Sequence, residues 1–252
     1  MRSLQRFAKL PDWTGPRYYR SRGVKFIVQG GEKHEVTGHS FVAEASYEGA
    51  LGRDATRVVS CNTTSVVRTL TALKRAGLLR RDRPGKPQGR HHEHPRPREA
   101  VPSHQGPDAQ TVDPDLDVVT IAVKVPEMLA HLHAWSVELT HPASAREVVD
   151  AFRESSRIAL VRMRDGHTAI NTVKEMMADI GRPRDDLYEV VLWEDLVTVR
   201  GDEVFYAYMV DNQAIVIPET IDAIRAVTSR EHDPQASIAA TNTTLGIPAR
   251  SA

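Results

Sequence analysis

Hydrophobic residues in the first third of the chain form two short apolar runs and one helical stripe. The run VKFIV at 24–28 ends at a Gln-Gly-Gly turn and predicts a buried strand. The run TRVVS at 56–60 predicts a second strand, which delivers Cys61 at its carboxyl end. From 64 to 77 apolar residues recur at helical spacing until a glycine ends the pattern. A strand, a polar turn and a helix in this order indicate a parallel α/β unit.

The segment 80–100 interrupts this pattern. It reads RRDRPGKPQGRHHEHPRPREA, with four prolines and almost no apolar side chain. Such a composition offers no hydrophobic face to bury, so it predicts a loop or a disordered segment.

Strand and helix patterns return in the second half of the chain. Apolar residues alternate with polar or small ones at 119–125 and 133–139, which predicts two half-buried strands. The tetrapeptide SARE at 144–147 predicts the capping box of a helix. The remaining predicted elements are helices at 171–180 and 220–227 and strands at 188–199 and 203–210. Because a short Arg-Gly-Asp turn separates the last two strands, we expect them to pair antiparallel.

Composition narrows the class of protein. Hydrophobic residues make up 40% and charged residues 26% of the 252 residues, as in an ordinary soluble globular protein. Lys plus Arg equals Asp plus Glu at 33 each, so no net field favours nucleic acid or an anionic membrane. No apolar run approaches the roughly 18–20 residues that cross a bilayer. The segment 1–10 lacks the apolar core of a secretory signal. We therefore expect a cytoplasmic protein with neither a nucleic-acid nor a membrane partner.

Cys61 is the only cysteine, which excludes an internal disulfide and is typical of a reducing compartment. Its position between a strand and a helix places it beside the positive end of that helix, where backbone N–H groups stabilise a thiolate and bind an oxyanion. The alternative is a small buried hydrophobic residue, the commoner fate of a lone cysteine. A nucleophilic cysteine needs a base. His131 and His133 share one face of a predicted strand, and spacing does not choose between them.

Two other polar clusters are weaker candidates for chemistry. His91, His92 and His94 lack cysteines or carboxylates at ligand spacing, so we expect no metal site there. The turn SHQGPD at 103–108 is a candidate for phosphate binding, although most turns of this composition are only turns. The sequence contains neither a G-x-G-x-x-G nor a G-x-x-x-x-G-K-[ST] motif.

A series of long motifs occurs in order from about residue 23 onward. They are VKFIVQGGEKHE, RVVSCNTT, PSHQGPDAQTV, VVTIAVKVP, GRPRDDLYEVVLWED and VDNQAIVIPETIDAIRA. Together these segments resemble the archaeal-type (type II) glyceraldehyde-3-phosphate dehydrogenases. Another cysteine-dependent semialdehyde or acyl-phosphate dehydrogenase is a further hypothesis, which the long matches at 182–195 and 210–226 disfavour.

The resemblance implies phosphorylating oxidation of glyceraldehyde 3-phosphate to 1,3-bisphosphoglycerate through a cysteine thioester, with NAD or NADP as the cofactor. Cys61 would be the nucleophile and His131 the base. Substrate contacts are implied for Ser60, Asn62, Thr63, His104 and Gln105, and cofactor contacts for Gly31, Arg81 and Asn212. The family also implies a homo-oligomer, most simply a tetramer, and the substrates glyceraldehyde 3-phosphate and phosphate.

The resemblance divides the chain into three parts. Residues 1–60 would be the remnant of a Rossmann NAD(P)-binding domain. Residues 61–210 would be the catalytic domain, with the predicted loop 80–100 inside it. Residues 211–252 would be a C-terminal helical segment that returns to the nucleotide domain. The expected fold is therefore α/β plus α+β, a partial Rossmann-like parallel sheet followed by a catalytic domain with a mixed or antiparallel sheet.

The family's first βαβ unit, which carries the glycine fingerprint for the pyrophosphate, has no counterpart in this sequence. We therefore expect a chain that is shorter than its relatives at the N-terminus. This keeps a second hypothesis open, in which the chain is a catalytically inactive homologue that acts only as a binding or assembly module.

Overall fold

The computed structural model describes residues 15–80, 103–121 and 130–249 and the backbone of 89–92. The helices are α1 Pro16–Ser21, α2 Ala43–Ser46, α3 Cys61–Arg75, α4 Gln105–Gln110, α5 Ala145–Arg153, α6 Ile170–Asp179, α7 Val216–Val227 and α8 Pro234–Leu245. The strands are β1 Phe26–Gln29, β2 Ser40–Phe41, β3 Ala55–Val58, β4 Gly89–His92, β5 Val118–Ile121, β6 Ala130–Glu138, β7 Ile158–Val161, β8 Val190–Trp193, β9 Thr198–Arg200 and β10 Glu203–Asp211. None of the described helices is long and apolar enough to span a bilayer.

The first sheet is parallel and has three strands in the order β1-β3-β2. The central strand β3 is buried along its whole length, as a strand covered on both faces must be. Gln29 of β1 lies opposite Val58 of β3, so both strands end at the same edge of the sheet. Helix α7 from the far end of the chain packs on β3 and β1. The predicted parallel α/β unit is confirmed.

The second sheet is mixed and has seven strands, in the order β5-β4-β6-β10-β8-β7 with β9 on the free part of β10. Its centre is a nine-pair antiparallel ladder from Glu203 opposite Glu138 to Asp211 opposite Ala130. Trp135 and Val137 point from β6 into the core, whereas Leu132 on the other face is exposed. The expected architecture, a parallel sheet followed by a mixed sheet with helices, is confirmed.

Helix α3 begins three residues earlier than the predicted segment 64–77. Ser60 is its N-cap, and the Ser60 side chain accepts a hydrogen bond from the backbone N–H of Thr63. Such a cap satisfies one of the N–H groups that the first turn leaves without an intrahelical partner. Cys61 is therefore the first residue of the helix rather than a residue of the turn between the predicted strand and helix.

The prediction of a continuous loop over 80–100 is wrong at its centre. Residues 89–92 form β4, which pairs parallel with β5 and antiparallel with β6. A strand between two others is held by backbone hydrogen bonds, which do not require apolar side chains. The rest of this segment, 81–88 and 93–100, lies outside the described residues, as do the side chains of the three clustered histidines.

Two further predicted elements have different boundaries in the structure. The strand predicted over 188–199 is divided into β8 and β9 by a 3₁₀ turn at Glu194–Leu196. Both parts pair antiparallel with β10, so the predicted pairing is confirmed. Helix α7 starts four residues before the predicted segment. Pro218 lies in its first turn, where proline is tolerated, so it does not prevent the earlier start.

The segment 103–108, predicted as a polar turn, contains the start of helix α4. Gly106 allows this helix to lie against β5, because a Cβ atom there would come 2.3 Å from the carbonyl oxygen of Val118. Its backbone N–H donates to the hydroxyl of Thr120 on β5. The close approach fixes α4 beside the first turn of α3.

A fully buried ion network joins the two ends of the chain. Arg68 of α3 donates to Oε1 of Glu219 on α7 through Nε at 3.1 Å and Nη2 at 2.6 Å. Arg157 contacts the same oxygen at 3.3 Å and donates to Asp222 at 2.7 Å. Asn242 of α8 accepts from Arg157 Nε at 2.7 Å. These contacts fix α7 and α8 against the helix that carries Cys61.

Candidate active site

The site is built on the first turn of α3. Strand β3 ends at Val58, and the chain turns through Ser60 directly into the helix, so Cys61 lies at the helix N-terminus. Backbone N–H groups of this turn point outward without intrahelical acceptors, and the helix dipole adds positive potential. Both effects favour the thiolate form of a cysteine over the thiol.

His131 on β6 faces this cysteine. Its Nε2 atom lies 3.3 Å from Sγ of Cys61. Burial lowers the pKa of His131, and the carboxylate of Asp211 opposes this shift only in part. The imidazole is therefore neutral at pH 7 and able to accept a proton. Of the two histidines that spacing left equivalent, His131 is the one beside the sulfur.

His133 faces the next residue of the helix. Its Nε2 atom lies 2.9 Å from Oδ1 of Asn62. The two histidines share one face of β6, as predicted, with ring centroids 6.4 Å apart. His131 and His133, which are successive residues on one face of β6, thus contact the consecutive residues Cys61 and Asn62 at the start of α3.

A buried polar network that sequence analysis did not find supports this turn. The hydroxyl of Thr63 donates to Asp108 of α4 at 2.8 Å, and it lies 3.0 Å from the hydroxyl of Ser60. Arg57 of β3 donates to the other oxygen of Asp108 at 2.6 Å and to Ser40. The one sequence signal for the network is an arginine inside an otherwise apolar strand.

Comparison with known proteins places the chain in a family. The chain is 44% identical to glyceraldehyde-3-phosphate dehydrogenase of Methanopyrus kandleri over 94% of its own length and 72% of the relative's length. It is 40% identical to the Methanobrevibacter smithii enzyme of the same name, with 94% and 74% covered. It is 42% identical to that of Archaeoglobus fulgidus, with 92% and 70% covered. The chain belongs to the archaeal-type glyceraldehyde-3-phosphate dehydrogenases. No family model matches it.

Two residues expected to contact the cofactor of a glyceraldehyde-3-phosphate dehydrogenase lie at the ends of strands. Gly31 follows β1 at the sheet edge where β3 leads to Cys61, and it is exposed. Asn212 follows β10, one residue beyond the pair of Asp211 with Ala130. The Oδ1 atom of Asn212 is buried and has no hydrogen-bond partner in the described part of the chain. Arg81 lies outside the described residues.

The residues expected to contact the dehydrogenase substrate fall into two groups. Ser60 and Asn62 flank Cys61, whereas Thr63 is fully buried and its hydroxyl is bound to Asp108. His104 is exposed at the N-cap of α4. Gln105 is buried, and its side-chain oxygen accepts a hydrogen bond from Ser103.

Proposed function

We propose that this chain oxidises glyceraldehyde 3-phosphate to 1,3-bisphosphoglycerate, with NAD or NADP as the oxidant and inorganic phosphate as the acyl acceptor. The observation that carries the proposal is the 3.3 Å contact of Cys61 Sγ with a neutral His131 Nε2 at a helix N-terminus. Nucleophile and base within hydrogen-bond reach are the signature of covalent catalysis. Membership of the family supports the choice of substrate.

In the first step the thiol proton passes from Cys61 to Nε2 of His131, and Sγ forms a bond to the aldehyde carbon. The carbonyl electron pair moves onto oxygen. Backbone N–H groups of the first turn of α3 stabilise this oxyanion. His131 then returns its proton to the oxygen, which gives a hemithioacetal.

In the second step Nε2 of His131 removes the hydroxyl proton while hydride leaves the same carbon. The nicotinamide cofactor, when bound, supplies the acceptor for that hydride. The product is a thioester on Cys61. An oxygen of inorganic phosphate then attacks the thioester carbonyl, the C–S bond breaks, and Cys61 leaves as a thiolate that the helix N-terminus stabilises.

The residues at the strand ends suit the nicotinamide end of such a cofactor. An amide oxygen that is buried without a partner is costly unless a ligand supplies a donor. Asn212 Oδ1 is such an atom, and the carboxamide N–H of nicotinamide would be a matching donor. Gly31 would border the same group, because ligands of parallel sheets bind beyond the carboxyl ends of the strands.

We further propose that nucleotide binding and catalysis belong to different parts of the chain. Residues 1–60 and 211–252 would form the nucleotide-binding part, which is supported by the packing of α7 on β3 and β1. Residues 61–210, with α3 and the mixed sheet, would form the catalytic part.

A homo-oligomer is also part of the proposal. Leu132 and Phe205 lie on the sheet face away from α3 and are 50% and 37% exposed. Apolar side chains on an open sheet face are better covered by another subunit than by water. In a tetramer, as expected from the family, a neighbouring subunit would bury these side chains.

Intact-mass spectrometry tests the reaction directly. Mixing the chain with glyceraldehyde 3-phosphate and NAD or NADP without phosphate should add one glyceroyl-phosphate group to Cys61. Addition of phosphate should remove it. The Cys61→Ser variant is the matched control and should show no stable adduct. An unmodified chain under all conditions, together with a thiol that reacts like free cysteine, would favour the alternative of a non-catalytic binding or assembly module.

A further inference from the structure

We propose that His133 is a positioning residue, which holds the side-chain amide of Asn62 so that its Nδ2 atom donates to the oxyanion formed on the substrate. This inference rests on the proposed function, because it requires attack of Cys61 on a carbonyl group. It assigns the second histidine of the pair a role separate from that of His131.

The side-chain amide of Asn62 has a defined orientation. Asn62 Oδ1 lies 2.9 Å from Nε2 of His133. An amide oxygen only accepts hydrogen bonds, so Nε2 of His133 carries the hydrogen. Nδ2 of Asn62 then points away from the histidine, and it has no acceptor among the described residues. An amide turned the other way would present its oxygen to the oxyanion and repel it.

His133 is itself rigidly held. It is 1% exposed, and its ring stacks on Tyr208 with centroids 4.7 Å apart and an interplanar angle of 17°. The Tyr208 hydroxyl accepts from Nε1 of Trp135 at 3.1 Å. A donor fixed on a packed ring selects one orientation of its acceptor more strongly than a mobile side chain can.

Ser65, on the same helix, links the Asn62 backbone to Tyr208. Ser65 donates from its hydroxyl to the carbonyl oxygen of Asn62 at 2.8 Å, and that hydroxyl lies 3.2 Å from the Tyr208 hydroxyl. The side chain of Asn62 is therefore held by His133 of the mixed sheet, and its backbone carbonyl is held by Ser65, whose hydroxyl contacts Tyr208 of the same sheet.

Two reagents separate positioning of Asn62 from activation of Cys61, and neither needs a cofactor. With para-nitrophenyl acetate, Sγ bonds to the ester carbonyl carbon and the electron pair moves onto oxygen. Its return expels para-nitrophenolate and leaves acetyl-Cys61, so the rate depends on oxyanion donors. With iodoacetamide, Sγ displaces iodide from a saturated carbon and no oxyanion forms, so the rate reports the thiolate alone.

His133→Phe keeps a stacked ring and removes the donor, whereas His133→Gln keeps a donor near the Nε2 position. We expect His133→Phe to slow acylation by about 10- to 100-fold and to leave the iodoacetamide rate unchanged. His133→Gln should restore most of the acylation rate. Asn62→Ala should match His133→Phe, and the double variant should be no slower than either, because both changes remove one interaction.

Several results would overturn the proposal. The first is an acylation rate in His133→Phe equal to that of the wild type. The second is a double variant in which the losses of acylation rate of the two single variants multiply. The third is an equal fall in the iodoacetamide rate of His133→Phe, which would indicate a general structural role. Failure of the proposed function looks different: the wild-type thiol itself would react with iodoacetamide no faster than free cysteine. That outcome would remove both claims together.

Discussion

Replacement of Glu219 by alanine tests whether the buried ion network holds the two ends of the chain together. Glu219, Arg68 and Arg157 are fully buried. Arg157 keeps Asp222 as a partner after the change, so one guanidinium, that of Arg68, is left without a carboxylate. Removal of one partner from a buried pair costs about 3–5 kcal/mol. The N–H of Ala43 also loses its acceptor on Glu219.

We therefore expect Glu219→Ala to lower the free energy of unfolding by about 4 kcal/mol, a large part of the roughly 5–15 kcal/mol typical of a folded protein. Urea denaturation followed by far-UV circular dichroism measures this loss. Glu219→Gln keeps the shape and an acceptor for Ala43, so it should lose less. Asp150→Ala, which removes a 53% exposed carboxylate paired with Arg146 and Arg153, should change stability by about 0.5 kcal/mol or less.

The pH dependence gives a second check on Glu219. Burial raises the pKa of the Glu219 carboxyl, but the charges of Arg68 and Arg157, together with hydrogen bonds from Ala43 and Arg68, outweigh burial, and the pKa is lowered. A carboxyl with a lowered folded pKa adds stability above its unfolded pKa of about 4.3, and that stability is lost as the pH falls through the folded pKa. The wild type should therefore approach the variant only in acid. A loss below about 1 kcal/mol at pH 7, the range of exposed pairs, would refute the reasoning.

Two further changes test the support of the site and the assembly. Asp108→Ala removes the carboxylate that Arg57 and Thr63 contact. We expect the free energy of unfolding, measured by urea denaturation, to fall by about 2–3 kcal/mol and the alkylation of Cys61 to become slower. Unchanged values of both would count against the network. Leu132→Asp should reduce the sedimentation coefficient of the assembly. The control Leu196→Asp, which changes an exposed residue on a turn, should not reduce it. A monomeric wild type would contradict the assembly proposal.

The elements that sequence analysis found are those with strong periodicity. The pattern predicted a strand at 133–139, and β6 spans Ala130–Glu138, three residues longer at its start. Helix α5 has a complete capping box between Ser144 and Glu147, as predicted. Local patterns of this kind are encoded within a few residues, so they can be read without knowledge of tertiary contacts.

The residue pattern predicted no separate helix at 234–245, within the segment expected to be helical from the resemblance, and no strand at 89–92; both elements depend on contacts distant in sequence. Helix α8 has no clear apolar stripe, because Ser237 and Thr241 face the core and donate to Asp222. Its start did carry a signal, an N-capping Asp233 followed by proline. Strand β4 exists because β5 and β6 provide backbone partners on both sides.

The candidate site shows the same limit. Sequence placed Cys61 at a helix start and offered two histidines on one strand face. Only the tertiary structure separates them, with His131 beside sulfur and His133 beside the Asn62 amide. Residues two apart on a strand are equivalent in local geometry, so their different partners are set by how β6 lies across α3.

The pH dependence of Cys61 alkylation is the most direct test of whether Cys61 is an activated nucleophile at a substrate site. Iodoacetamide rates measured by intact mass across a pH series report the fraction of thiolate. We expect a half-maximal rate well below the pKa of about 8.5 of a free thiol, protection by glyceraldehyde 3-phosphate, and a shift toward free-thiol behaviour in His131→Gln. A wild-type profile that follows free cysteine, with no protection by substrate, would contradict this role of Cys61.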